Sequence, residues 1–146
     1  MSRVNEISSY LEEKVEDGQI LIKIKREGEY DVIDITPEHP SDDVLNASLS
    51  IVIDEKRDYV GLHIGRGNFS DTTEPYASQD KEYILEVVLA CINGKIEEDL
   101  VERDGKVLKS KLSIMLPDGK QILHYRSGLF IFGGKKTHIK YQPYLT

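Results

Sequence analysis

The sequence predicts an α+β fold, a single domain over residues 1–146 in which one curved, mostly antiparallel sheet packs against two helices. Three observations predict it. Two segments carry apolar residues at helical spacing, whereas most of the remainder alternates apolar and polar residues with strand period. Short turn signals separate the alternating runs, and such hairpins join antiparallel neighbours because parallel pairs need long crossovers. The length of 146 residues suits one domain, which can bury roughly two-thirds of its unfolded surface without a metal or disulfide.

The elements follow in order. Val4, Ile7, Leu11 and Val15 form one face of a helix over about residues 3–16, with Gly18 where a C-cap favours left-handed backbone. Ile20, Ile22 and Ile24 have strand spacing, and Glu27-Gly28-Glu29 turns them into Tyr30–Ile35. The prolines of Thr36–Asp43 mark a loop. Leu45, Ala47, Leu49, Ile51 and Ile53 predict one long strand, returning through Asp54–Asp58 to Val60, Leu62 and Ile64. Residues 65–77 read as the longest irregular stretch. Ser78 is the expected N-cap of a second helix that carries Tyr83, Ile84, Val87, Val88, Cys91 and Ile92 and stops at Gly94. Asp104-Gly105 joins strands 96–102 and 106–116, and Pro117-Asp118-Gly119 leads into Ile122–Arg126. Leu129–Phe132 and His138–Tyr141 complete the β content.

Charge divides sharply along the chain. Residues 1–105 hold 25 acids and 11 bases, a net of −14, whereas residues 106–146 hold one acid and eight bases, a net of +7. The total of −7 repels nucleic acid and anionic membranes and speeds association with a basic partner. A hydrophobic share of 39% argues against disorder. No apolar run approaches a signal peptide or a membrane span, and one cysteine fits a reducing compartment, so the expected location is cytoplasmic.

No segment carries a catalytic motif, and the expectation is a protein that is not an enzyme and needs no cofactor. Cys91 lies on an apolar helix face, where burial makes a thiol inert. His39, His63, His124 and His138 lack the spacing of a zinc site. Gly65-Arg66-Gly67-Asn68 resembles part of a phosphate loop but lacks its lysine and third glycine. The carboxylate pairs Glu12-Glu13 and Asp42-Asp43 and the run Glu97-Glu98-Asp99 suit contact with a basic partner better than acid–base catalysis.

The run Tyr83–Glu98, a helix ending in Asn93-Gly94-Lys95, feeds charged antiparallel strands around Asp104-Gly105. This pattern, over about residues 78–120, resembles immunity proteins of bacterial polymorphic toxin systems. The resemblance implies a stoichiometric inhibitor that binds a cognate toxin domain and occludes its active site. A nuclease-type toxin carries a basic cleft, for which an acidic surface competes. On that view the contacts are Asp42, Asp43, Asp71, Glu74, Glu97, Glu98 and Asp99, with Phe69 and Tyr76 as aromatic anchors. The alternative is a small-molecule-binding domain or small enzyme with a pocket between the sheet and the second helix, and the 65–77 segment as its lid. A third reading is a subunit that closes a sheet edge by self-association through Leu129–Phe132.

Overall fold

The computed structural model describes residues 2–40, 45–66, 69–127 and 133–144, with the backbone alone described at 69–71 and 126–127. The described elements run α1 (Arg3–Lys14), β1 (Ile20–Glu27), β2 (Tyr30–Pro37), β3 (Leu49–Asp54), β4 (Tyr59–Ile64), β5 (Phe69–Thr73), α2 (Asp80–Ile92), β6 (Ile96–Arg103), β7 (Lys106–Met115), β8 (Gln121–Ser127) and β9 (Lys135–Lys140). The α+β class and antiparallel pairing agree with the sequence reading, but the strands divide into two sheets. Strands β1-β2-β3-β4-β5 form one meander, and β8-β7-β6-β9 form the other. The division follows from β6, which bonds β7 along one edge and β9 along the other, leaving no edge for β5.

One apolar core runs through both sheets. Ile33, Ile35, Leu49, Ile51, Ile53, Val60, Leu62 and Ile64 from the first meet Leu100, Leu112 and Ile114 from the second. Helix α1 adds Ile7 and Leu11, and α2 adds Ile84, Val87, Val88 and Cys91. Polar contacts at the rim fix the helices. The Glu55 carboxylate accepts from the Arg3 (2.8 Å) and Val4 (3.3 Å) amides, satisfying donors that a helix start leaves free. Lys81 of α2 reaches Glu6 at 3.8 Å and lies 4.9 Å from the Tyr10 ring of α1.

Several local expectations change. Helix α1 ends at Lys14 with Val15 as its cap, and Gly18 (φ +86°) sits in the turn beyond. The N-cap of α2 is Gln79 rather than Ser78, and the Asp80 carboxylate accepts from the Ala77 amide at 2.7 Å instead. Residues 45–48 precede β3 rather than extending it, because the chain's last described residues take their hydrogen bonds. Gln142 donates to the Leu45 carbonyl at 2.8 Å, and the Tyr144 hydroxyl donates to that of Ala47. Part of the expected 65–77 loop is strand β5, which pairs with β4 in the register Ile64↔Phe69 and Leu62↔Asp71. Its threonines suit an edge strand, but it lacks the apolar alternation by which a strand is recognised. The Leu129–Phe132 run lies outside the described residues. Among the described residues no helix is long and apolar enough to cross a membrane.

Candidate functional site

The surface feature best suited to a protein partner lies where α1 ends and β1 begins. A groove of about 280 Å³ is lined by Glu12, Glu16, Asp17 and Glu38 around Leu11, Val15, Ile20, Leu21 and Ile22. Glu12 lies on the last turn of α1, and Glu16 and Asp17 follow its extended cap Val15. Glu38 arrives from the end of β2, where its amide donates to the Gln19 carbonyl at 3.4 Å. The four carboxylates are exposed, and among the described residues none makes an ion pair. Beside them, among the described residues, β1 pairs with β2 alone, so its outer edge carries backbone donors and acceptors without a strand partner there. The β1–β2 hairpin projects past the helical cover. Ile24 faces the core side, opposite the buried Ile33, yet is 51% exposed.

No family model, curated protein or solved structure matches this chain.

The residues expected at an interface are scattered by the fold. Asp42 and Asp43 lie outside the described residues, and Phe69 and Asp71 are placed by backbone alone, on edge strand β5. Glu74 is exposed and holds Arg57 at 3.6 Å. Tyr76 is not an exposed anchor, because its ring is 6% exposed and packed into the core. Burial, reinforced by Glu6 and Asp80, pushes its hydroxyl up to about 12.

The acidic run of β6 is split by strand alternation. Glu97 and Asp99 face solvent, but Glu98 points inward and is 1% exposed. Its carboxylate accepts from the Arg66 amide at 2.8 Å and from the Tyr141 hydroxyl, whose proton is held by burial and by Glu98 itself. Glu98 thereby ties the β4–β5 turn to β6 and to the chain beyond β9. Gly65 lies against it with φ +75°, and a Cβ there would sit 2.6 Å from Glu98 Cδ. The phosphate-loop resemblance at Gly65-Arg66 is thus explained as packing. The Arg66 amide that would face an anion is already held by a carboxylate.

The two outward acids of β6 are met by bases. Asp99 Oδ1 bonds His138 Nδ1 at 2.7 Å, Glu97 stands opposite Lys140, and Glu97 lies 3.9 Å from His138 Nε2. Glu97 and Asp99 are interleaved with basic side chains on one mixed-charge face.

The remaining candidates are structural. Cys91 is fully buried in α2, and desolvation pushes its thiol up to about 12. The face of α2 toward the sheets is filled by Ile84, Val87 and Val88, each no more than 1% exposed. A cavity of about 490 Å³ opens at the end of α2 between Asn93 and the Pro117–Gly119 turn. Among the described residues no three of His, Cys, Asp and Glu converge as metal ligands. Sequence reasoning missed the groove. The acids Glu12, Glu16 and Asp17 were readable, but the approach of Glu38 and the free edge of β1 exist only in the fold.

Proposed function

We propose that this protein is a stoichiometric inhibitor of the immunity type, which captures a basic protein domain and covers its working surface. The supporting observation is the conjunction of four unpaired carboxylates with an apolar groove and an open strand edge at the start of β1. An extended basic segment laid along Ile20–Ile24 would take main-chain hydrogen bonds from the edge, while its lysines and arginines reach Glu12, Glu16, Asp17 and Glu38. The field of a chain carrying net −7 steers such a partner, and apolar contact at Leu21 and Ile22 slows its release.

The test is capture on the tagged protein at low and high salt, followed by reconstitution with the purified partner. A one-to-one complex in which the partner's activity falls to zero at equimolar inhibitor is expected. Full partner activity in the presence of saturating protein would overturn the reading.

A further inference from the structure

The outward face of the second sheet carries a separate site of opposite charge. Among the described residues no helix covers this face, where Glu97, Asp99, Lys109, Lys136 and His138 are exposed. Its side chains stand in cross-strand rows because directly paired residues share a side of a sheet. One row runs Tyr125, Lys111, Asp99, His138, and the next places Val101 between Lys109 and Lys136. These residues, with Thr137, line a hollow of about 480 Å³, within the range of roughly 300–1,000 Å³ of small-ligand sites.

Charge in the hollow is unbalanced for a structural reason. Strand β6 carries the acids of this sheet, and β7 and β9 carry the bases. At Asp99 the alternation puts a carboxylate between Lys111 and His138, and that carboxylate is drawn to His138 at 2.7 Å. One row on, the position between the two basic strands is Val101. Among the described residues neither Lys109 nor Lys136 makes an ion pair. Their backbones are two strand spacings apart, about 10 Å, close enough for two lysine side chains to meet over Val101. Tyr125 stands at one side, 68% exposed, with the Lys111 ammonium 5.9 Å from its ring centre. An exposed aromatic ring beside Lys111, on the face that carries Lys109 and Lys136, presents a flat apolar surface and a positive field together.

We propose that this hollow binds a small planar organic anion, a ring bearing one phosphate group, as in a nucleoside monophosphate. The phosphate lies between Lys109 and Lys136 above Val101, and the ring stacks on Tyr125. A small anion is favoured over a nucleic acid chain because the positive patch is local. A polyanion extending beyond it meets the field of a molecule with net charge −7, whereas a single phosphate stays inside the patch. The site is distinct from the acidic groove at α1 and β1 and does not depend on the inhibitor reading.

The experiment is a titration of the isotope-labelled protein with AMP, followed by amide NMR, with adenosine and inorganic phosphate in parallel. Saturable shifts confined to β6–β9 around Lys109, Lys111, Tyr125 and Lys136 are expected, with phosphate binding more weakly and adenosine not measurably. The double variant Lys109→Gln, Lys136→Gln should weaken AMP at least tenfold, as expected when charge-assisted contacts are removed. Val101→Glu should abolish binding while leaving the melting temperature unchanged or raised, since it completes the acid–base row. Tyr125→Ala should weaken AMP but leave phosphate unaffected. The proposal is overturned if AMP moves no resonance of this face, or if it moves those of Lys23, Lys25 and Lys56 equally. Unchanged affinity in the lysine double variant or in folded Val101→Glu would also overturn it. So would adenosine binding as well as AMP, or a single-stranded oligonucleotide binding orders of magnitude tighter, which would make the face a nucleic acid platform.

Discussion

Removing the Glu98 carboxylate distinguishes a structural anchor from an interface residue. Glu98→Ala leaves the Tyr141 hydroxyl without its acceptor and the Arg66 amide with only the Tyr141 hydroxyl oxygen, at 3.3 Å. An orphaned buried donor costs about 1–3 kcal/mol and the weakened amide bond about 1 more, so the loss should be about 3 kcal/mol. In a chain of this length that lowers the melting temperature by about 6–12 °C. Tyr141→Phe removes one hydrogen bond to a carboxylate and should cost about 2 kcal/mol. The double variant should then lose less than the sum of the singles, with a coupling of about 1.5 kcal/mol between residues that share a bond. Urea unfolding followed by far-ultraviolet circular dichroism measures all four corners of the cycle. Glu97→Ala and Asp99→Ala serve as controls, because solvent-facing neighbours on the same strand should stay within about 0.5 kcal/mol of the parent. A Glu98→Ala loss below about 1 kcal/mol, or strict additivity with Tyr141→Phe, would refute the inward placement of Glu98 and return all three acids to the surface.

Three further outcomes follow from the same contacts. The Tyr76 hydroxyl has no hydrogen-bond partner among the described residues, so Tyr76→Phe should be neutral or stabilising by up to about 1 kcal/mol, whereas Tyr76→Ala should cost about 3–5 kcal/mol in urea unfolding. A Tyr76→Phe loss as large as that of Tyr76→Ala would show that the hydroxyl, not the ring, holds this position. In alkali, the unfolded chain releases the Cys91 proton near 9.0 and the Tyr76 proton near 10.0, while the folded chain keeps both to about 12. Folding stability is therefore complete below about pH 9 and falls as pH rises toward about 12, with Cys91 alone removing on the order of 1 kcal/mol by about pH 10. Unfolding curves at stepped pH should show this decline, and Cys91→Ala should flatten its first part. Reversing Glu16 and Asp17 to lysine should slow association with a basic partner about tenfold at low salt and flatten the salt dependence, as read by stopped-flow mixing. Unchanged kinetics would remove the groove from the interface.

Local patterns were legible in the sequence, and the arrangement of elements was not. Periodicity located both helices and eight of the nine described strands, because apolar spacing is imposed by each element's own burial. It missed β5, whose Thr72 and Thr73 belong to an edge that buries little. It merged two sheets into one, since hairpin signals report which neighbours pair but not which edges stay open. The Glu97-Glu98-Asp99 run contained its own correction. In a strand, alternate residues face opposite sides, so three successive acids cannot form one surface, and with Ile96 and Leu100 turned inward Glu98 must follow them. Tyr76 shows the opposite limit. Nothing local marks a tyrosine after Pro75 as core, and only the packing of neighbouring elements buries it.

The charge asymmetry along the chain also changes meaning in three dimensions. A net of −14 before residue 106 and +7 after it suggests two opposed surfaces, yet folding interleaves them. Acidic β6 is inserted between basic β7 and β9, so acids and bases of the two chain halves alternate across one sheet. What survives are the places where the interleaving fails. At Val101 an apolar residue occupies an acid's turn in the ladder, and two lysines face each other without a counter-charge. At the junction of α1 and β1 no basic strand reaches Glu12, Glu16, Asp17 and Glu38. Exposed paired charges contribute little to recognition because each partner already screens the other. Unpaired clusters retain their field and the apolar surface beside them gains from desolvation on binding, so both proposed contacts fall at the two breaks in the pairing pattern rather than at the acidic runs themselves.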